Sequence, residues 1–425
     1  MKYHLLTYGC QMNHSDSERI ASVLENIGYK KALNIEKADL IVINMCSVRQ
    51  SAVDRVYGLI QKLEQLQTTN HKLQTILTGC ILKKDRRKFA QHFDLILNIH
   101  NLPQWPKILN SKHKILNTSN YLKIRPEYSS FPIAYVPVST GCNNFCAYCV
   151  VPYTRERLTH RPAKDIVKEV KELVKKGYKE IWLLGQNVNS YKYKLKIKGS
   201  KVIEFPDLLK IINDIPGEFW IRFTSSHPKD LSDELINIMA KCKKVNPYLN
   251  LPVQSGDNRI LKEMNRGYTI QKYKNLIKKI RKKIPDITLS TDIIVGFPGE
   301  TKEQFKNTAK LLEEIKFDMV YISQYSLRYG TAAAKTKDNV SQKEKKRREK
   351  VLTEILKKTA LKKNKKYIGK TVKVLPLKWK KEFLFGKSFH YKSVKTKGSK
   401  KLLGKFIKVK IIDALPWGLL GKQIT

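Results

Sequence analysis

A chain of 425 residues with 41% apolar content has room for two or three domains and enough apolar side chains to fill their cores, which excludes a disordered protein. No run approaches the roughly 18 apolar residues of a membrane span, and a formal net charge of +46 makes a surface that attracts phosphate backbones, unless lysine has been raised throughout by an AT-rich genome. The opening residues, MKYHLLTYGCQMNHSDSE, lack the apolar stretch of a signal peptide, so a cytoplasmic location and no membrane partner are expected.

The charge is uneven. From Ser341 to Thr425 there are 27 Lys and Arg against 5 Asp and Glu, a local excess of +22. A lysine-rich genome raises charge everywhere and does not explain that concentration. Seven cysteines (Cys10, Cys46, Cys80, Cys142, Cys146, Cys149 and Cys242) are an odd number in a chain without an export signal, which argues against a disulfide framework and leaves thiolates free for metal.

HLLTYG (4–9) reads as a buried strand leading into Cys10. Ser15 and Glu18 form a capping-box pair opening a helix with Ile20, Val23, Leu24 and Ile27 on one face, stopped by Gly28. ADLIVIN (38–44) is a second strand leading to Cys46, and the helix after it carries Val53, Val56, Tyr57, Ile60 and Leu63. TILTG (75–79) is a third strand, ending at Cys80. Right-handed crossovers make this β-α-β-α-β series a parallel sheet, and ligands of such sheets bind at the carboxyl ends of the strands. Three distant thiols are thereby expected on one edge; otherwise they are three unrelated core cysteines.

A Lys- and Asn-rich linker is expected over about 110–130. IAYVPVSTG then leads into GCNNFCAYC, a C-x3-C-x2-C loop holding Cys142, Cys146 and Cys149 with the aromatic Tyr148 before the last. Soft thiolates at this spacing suit zinc or an iron–sulfur cluster. A structural zinc wants a fourth ligand, and no His or Cys lies close by. Three ligands leave one iron of a [4Fe-4S] cluster open for a substrate. Six strand–helix units follow, with strands near 133–141, 180–187, 219–225, 248–254, 287–295 and 319–326. They predict a partial (β/α)6 barrel whose chemistry sits at the C-terminal strand ends. Polar clusters fall there: Gln186, Asn187 and Asn189; Ser225, Ser226 and His227; Gln254 and Ser255; and Asp292, followed by GFPGE (296–300). Cys242 ends a helix and reads as structural, and His160 and His227 read as polar neighbours rather than ligands.

SQKEKKRREKVLTEILKKTALKKNKK is a basic helix leading out of the barrel. Beyond Tyr367, KTVKVLPL, EFLFGKS, HYKSVKT and FIKVKIIDALPWGLLGK predict a small all-β barrel carrying Lys and the exposed aromatics Phe383, Phe389 and Tyr391. Basic charge interleaved with aromatics suits RNA, although each ring is equally at home in a barrel core. Removal of 361–425 is expected to leave the central barrel intact.

GCNNFCAYC resembles the cluster loop of radical S-adenosylmethionine enzymes, in which the open iron chelates the cofactor's amino and carboxylate groups. TYGCQMNHSDSE, NMCSVRQSA, CVVPYTR, LLGQNVNSY, TSSHP, LNLPVQSG, MNRGYT and TDIIVGFPGE resemble the methylthiotransferase family over essentially the whole chain, within it the enzymes acting on isopentenylated adenosine in transfer RNA. The resemblance implies an α/β chain of three domains: an N-terminal parallel α/β domain (1–117), a central partial (β/α)6 radical barrel (128–357) and a C-terminal all-β TRAM-like barrel (361–425). It implies that Cys10, Cys46 and Cys80 hold an auxiliary [4Fe-4S] cluster and Cys142, Cys146 and Cys149 the radical cluster. It also places S-adenosyl-L-methionine near Tyr148, Gln186, Asn187, Ser225, Gln254, Asp292 and Gly296. The implied reaction takes hydrogen from carbon 2 of the adenine with a 5′-deoxyadenosyl radical, after which sulfur arrives from the auxiliary cluster and methyl from a second S-adenosylmethionine. The implied partners are a transfer RNA anticodon stem-loop and an electron donor such as flavodoxin or ferredoxin, and the expected enzyme is a monomer.

The sequence departs from the family's Arg-Gly-x-Glu-x-Ser-Arg-Pro at 155–162, where Glu156 and His160 intrude, from its proline-rich string at SLRYGTA (326–332), and at GCILK after the third cysteine. Arg155, Arg157 and Arg161 are candidate partners for a carboxylate, which keeps a threonylcarbamoyl-adenosine substrate as the rival to an isopentenyl one. Two further readings stay open: a relative modifying a ribosomal-protein aspartate, and a non-catalytic RNA-binding protein with structural metals.

Overall fold

The computed structural model describes residues 1–48, 50–109, 118, 120–195 and 202–424. At the N-terminus β1 (Lys2–Tyr8), β2 (Lys30–Lys31), β3 (Leu40–Cys46), β4 (Gln74–Cys80) and β5 (Leu95–Ile96) form an all-parallel sheet in the order β2-β1-β3-β4-β5. Every residue of β3 is buried, as befits a central parallel strand covered on both faces. The two-residue period of the strand sends Leu40 and Val42 toward helix α1 (Gln11–Asn26), where they meet Ile20, Val23 and Leu24. Ile41, Ile43 and Met45 point the other way, onto Val53, Val56, Ile60 and Leu63 of α2 (Gln50–Thr69).

Helix α1 begins four residues before the expected capping pair, with Cys10 as its cap. Ser15 and Glu18 lie inside the helix and are used for docking: Ser15 Oγ donates to Tyr135 O at 3.2 Å, and Glu18 Oε1 accepts from Ser129 N at 2.9 Å. Tyr57 stays at the rim of its helix rather than in the core. Of the expected linker, 110–117 and 119 lie outside the described residues. Its later part is no free tether, since Tyr121, Leu122 and Ile124 are buried against the α1 face.

The central strands are β6 (Ile133–Pro137), β7 (Glu180–Leu184), β8 (Trp220–Phe223), β9 (Tyr248–Asn250), β10 (Thr288–Val295) and β11 (Met319–Gln324). They run parallel in two groups, β8-β7-β6 and β9-β10-β11. The groups join where Ile221 N donates to Lys244 O at 2.8 Å and Asn246 N donates to Ile221 O at 3.0 Å. The result is an open barrel of six parallel strands. Helix α1 lies against β6, and helix α3 (Gln342–Lys365) covers β11 with Leu352, Leu356 and Ala360 in the main core.

The C-terminal strands β12 (Thr371–Lys380), β13 (Phe383–Ser388), β14 (Ser393–Lys397), β15 (Ile407–Leu415) and β16 (Gly418–Ile424) close into a barrel in the order β12-β13-β14-β16-β15. Lys408 and Lys410 alternate with the inward Val409 and Ile411, so lysine coats the outer face. All three aromatics expected on the surface are half-buried, and two of them dock on the central barrel. Phe389 packs on Trp220 at 5.6 Å, and Tyr391 packs on Tyr248 and Trp182 at 4.4 and 5.3 Å, all three partners on the open barrel. Phe383 is half-buried, with Lys395 Nζ 4.1 Å over its ring.

The C-terminal barrel is therefore no separable appendage. Asp318, just before β11, accepts from Lys392 Nζ at 2.6 Å, from Lys363 Nζ of α3 at 2.7 Å and from Leu289 N at 3.0 Å, joining α3 and the C-terminal barrel to the central barrel at one carboxylate. Lys392 and Asp318 are each 7% exposed. Asp318→Ala strands two ammonium groups at this junction, so it is expected to cost about 3–5 kcal/mol, read as a lower urea midpoint with earlier proteolytic release of the C-terminal barrel.

Candidate active site

Cys46 and Cys80 are the last residues of β3 and β4 and face each other in register, while Cys10 follows β1 by two residues. The parallel sheet thus gathers all three on its carboxyl edge, two of them inside the strand ends rather than past them. Asn13 fixes the first: its Oδ1 accepts from Cys10 N at 3.2 Å while its Nδ2 donates to Asn44 Oδ1 at 2.9 Å and to Met45 O at 3.3 Å. Gly79, at φ +106°, lets β4 pass so close that a Cβ there would lie 2.2 Å from Met45 O. A hydrogen bond from Cys46, together with the Arg155 cation, holds the Cys80 thiol below its usual range; the same bond and burial push Cys46 up.

The second set sits on the loop after β6. Gly141, at φ +77°, turns the chain where a Cβ would meet Arg157 O at 2.4 Å, and Asn144 N donates to Cys142 Sγ at 3.4 Å. Burial pushes Cys149 up to about 12, so a thiolate there needs a cationic partner. Each set carries one buried arginine. Arg155 Nε donates to Cys80 Sγ at 2.9 Å and its Nη2 to Asp16 Oδ2 at 2.6 Å. Arg266, of MNRGYT, donates to Cys146 Sγ at 3.4 Å, to Tyr268 Oη at 3.1 Å and to Pro252 O at 2.8 Å. Among the described residues no three His, Cys, Asp or Glu side chains are gathered around a single metal ion. Two all-thiol sets, each with a cation to offset negative charge, fit iron–sulfur clusters better than one hard ion.

Both sets reach one cavity of about 600 Å³. Cys142, Cys146, Cys149 and Cys10 line it together with Tyr148, Gln186, Ser225, Gln254 and Asp292. Two of the expected cofactor residues fall outside the lining. Asn187 is buried behind it, donating to Asp230 Oδ2 at 2.6 Å. Gly296 N donates to Glu300 Oε2 at 2.6 Å beneath Lys345 of α3. His227 lines the cavity, its ring held neutral by burial (pKa about 3), and its Nδ1 accepts from Lys229 N at 3.3 Å.

Several lining groups are not legible in the sequence. Arg266 lies in MNRGYT, a string whose family likeness assigns the arginine no role. Asn250, which donates to Asp292 Oδ2 at 3.1 Å, ends β9 and obeys the rule that located the other polar clusters. The aromatic lining of Tyr135, Trp182, Tyr248 and Tyr321 carries no local signal, and Tyr391, expected on the outer surface of the C-terminal barrel, lines the cavity instead. Conversely, Arg155 and Arg161 are not available to a substrate. Arg155 is 1% exposed and paired with Asp16, while Arg161 donates to Pro137 O at 2.7 Å and pairs with Glu169. Arg157 alone of the three is exposed.

Residues 136–312 match the Radical SAM superfamily, and residues 2–98 match a family described as Uncharacterized protein family UPF0004. The chain is 42% identical to the tRNA-2-methylthio-N(6)-dimethylallyladenosine synthase of Clostridium perfringens (strain SM101 / Type A), over 98% of this chain and 96% of that protein. It is also 42% identical to the protein of the same name from Thermoanaerobacter sp. (strain X514), over 99% of this chain and 92% of that one. Among solved structures, the radical S-adenosylmethionine methyltransferase TsrM from Kitasatospora setae with tryptophan and a cofactor analogue superposes with a TM-score of 0.55 at 14% identity, covering 78% of this chain and 75% of that one. The cobalamin-dependent radical enzyme OxsB gives 0.54 at 14% identity over 85% of this chain and 56% of that chain. These two likenesses concern the fold alone.

The buried pair predicts a thermodynamic cycle. Arg155→Met leaves Asp16 buried without its partner and is expected to lower stability by about 3–5 kcal/mol; adding Asp16→Leu should restore much of it, read from urea midpoints of wild type and the two variants.

Proposed function

The chain belongs to the tRNA-2-methylthio-N(6)-dimethylallyladenosine synthase family within the radical S-adenosylmethionine superfamily, and from that premise we propose that it methylthiolates carbon 2 of dimethylallyl-adenosine beside the anticodon of transfer RNA. The observation that carries this reading is the shared cavity: a thiol of the N-terminal sheet and all three thiols of the barrel loop line the same chamber. The superfamily uses S-adenosylmethionine with a [4Fe-4S] cluster; Cys142, Cys146 and Cys149 would hold that cluster, and Cys10, Cys46 and Cys80 a second one. When bound, the first would supply the electron that cleaves S-adenosylmethionine into methionine and a carbon radical for hydrogen abstraction, and the second the sulfur to be transferred. Tyr148, Gln186, Ser225, Gln254 and Asp292 would line the cofactor's place, with Asn187 and Gly296 supporting it from behind.

The remaining work falls to this chain's own side chains. Arg155 and Arg266 offset thiolate charge on the two sides of the chamber without entering it as free cations. A flipped base needs an enclosed, partly aromatic site, and the chamber supplies six tyrosine and tryptophan rings. Its ionic groups are Asp292 and the engaged Arg266, which suits a branched hydrocarbon and disfavours the carboxylate of a threonylcarbamoyl group. The arginines that kept that rival open are, apart from Arg157, committed to internal partners. An electron donor of the flavodoxin or ferredoxin type, a monomeric enzyme, three units at 1–117, 128–357 and 361–425, and a cytoplasmic setting complete the proposal. Among the described residues no helix is long and apolar enough to cross a membrane.

Two measurements test it. With S-adenosylmethionine and a chemical reductant, Cys146→Ala should lose 5′-deoxyadenosine formation, whereas Cys46→Ala should retain it and make no thiolated RNA; equal loss in both folded variants would remove the division of labour. Offered two anticodon stem-loops, one dimethylallylated and one threonylcarbamoylated, the reconstituted enzyme should thiolate the first; thiolation confined to the second would overturn the substrate.

A further inference from the structure

One wall of the chamber comes from an unexpected place. The turn Ser388–Lys392 of the C-terminal barrel projects into the open side of the central barrel, and its Tyr391 lines the same cavity as the radical-loop cysteines. The ring lies 4.4 Å from Tyr248 at 41° and 5.3 Å from Trp182 at 70°, so three aromatic rings form one continuous surface.

The backbone there is strained. Tyr391 has φ +62°, a conformation that costs a bulky residue about 1–2 kcal/mol, and such outliers persist only where the surroundings over-determine them. Tyr391 N donates to Ser388 O at 2.9 Å, Ser388 N to Lys392 O at 2.9 Å, and Lys392 N to Ser388 Oγ at 3.1 Å. From the central barrel, Arg222 donates to Ser388 O at 2.9 Å and to Phe389 O at 3.2 Å, and Asn246 Nδ2 donates to Phe389 O at 2.7 Å. Arg222 is itself buried, paired with Glu180 at 2.9 Å, and its guanidinium lies 4.7 Å from the Tyr391 ring centroid. Ser225 and Gln254, which line the same cavity, are also held at positive φ, +63° and +73°. The left-handed φ of Tyr391 serves the tight turn that closes β13 onto β14, as those of Lys381 and Glu382 serve the turn before it; its place in the cavity lining and its contacts with Tyr248 and Trp182 are what make it part of the site.

We propose that Tyr391 is a specificity-determining residue, the C-terminal barrel lending its ring as the surface against which the dimethylallyl substituent of the target adenosine packs. This rests on the substrate reading above and extends it: the basic barrel grips RNA on its outside and reads the modification with one residue turned inward. The ring is aromatic; Arg222 is paired with Glu180, Arg266 is held by its own partners, and Lys387, whose Nζ lies 4.4 Å from the ring centroid and donates to Ser393 Oγ at 2.9 Å, is not part of the cavity lining, so the face turned to the cavity rewards a neutral hydrocarbon.

The test is equilibrium binding by fluorescence anisotropy of two labelled anticodon stem-loops, identical except that one carries the dimethylallyl group, followed by KM and kcat on the first. Wild type should prefer the modified stem-loop. Tyr391→Ala should lose about tenfold or more of that preference, as expected for a missing apolar contact in a pocket, with KM rising more than kcat falls. Its binding of the unmodified stem-loop should weaken less than that of the modified one, and the slope of log affinity against log salt should be unchanged, because phosphate contacts lie elsewhere. Tyr391→Phe should behave as wild type, and Tyr391→Leu stands in if the alanine variant does not fold. A folded alanine or leucine variant with the wild-type preference would overturn the role of Tyr391 while leaving the substrate reading intact. A wild-type protein indifferent to the dimethylallyl group, and unable to thiolate it, would instead remove the substrate reading and this inference with it.

Discussion

The architecture turns on a single buried guanidinium. Arg155 follows the radical-loop cysteines by six residues, yet its donors end on Asp16 of the first helix and Cys80 of the N-terminal sheet. With Arg155 1% and Asp16 0% exposed, the pair sits in a medium where attraction between charges is strong and the loss of either partner is severe. A buried ion pair adds little net stability over a well-packed apolar pair. What it adds is register, because only one placement of sheet against barrel satisfies both Asp16 and Cys80. That register brings Cys10 to the chamber lined by Cys142, Cys146 and Cys149. Two cysteine sets far apart in the chain are thereby held at one site by a single arginine that follows one set and bonds both Asp16 and a cysteine of the other.

The sites were legible to the extent that local periodicity fixed them. Cys46 and Cys80 follow runs of apolar residues that can only be central parallel strands, so their place at the carboxyl edge follows from strand direction. The C-x3-C-x2-C loop after an apolar strand is similarly local. What could not be read are contacts that close over long loops. Arg155 meets Asp16 across 139 residues, and nothing near either residue announces the other. Ser15 and Glu18 misled for an instructive reason. Their spacing matches a capping box, but the helix was already capped by Cys10, and the two polar side chains serve tertiary docking instead. Pattern and purpose separate wherever a local signal is borrowed for a distant partner.

The C-terminal barrel shows the same limit from the other side. Its lysines alternate with apolar residues and stand outward, which the strand period reveals. Its aromatics do not declare whether they fill the barrel, face RNA or dock on a neighbour, because all three roles select large rings. Here Phe389 and Tyr391 dock. They pack on Trp220, Trp182 and Tyr248, rings that would otherwise line the open side of the central barrel.

That docking explains why a six-stranded barrel can serve a bulky substrate. An open barrel offers a wide mouth, which admits a nucleotide in a loop of RNA but also admits water. Radical chemistry needs the opposite, an enclosed site in which reactive species meet only the intended bond. The chain meets both demands by composing the wall from separate pieces. Sheet and helix α1 cover the β6 side, α3 covers the β11 side, and the turn at 388–392 contributes a ring to the chamber itself. Asp318 fastens two of those pieces to the barrel through Lys363 and Lys392, and Asp16 fastens the third through Arg155. Buried carboxylates thus stand at the two seams, each satisfied only when its neighbouring piece is seated. A chamber assembled this way is specified by polar contacts and filled by apolar ones: the ion pairs choose the arrangement, and the aromatic rings set what the arrangement will accept.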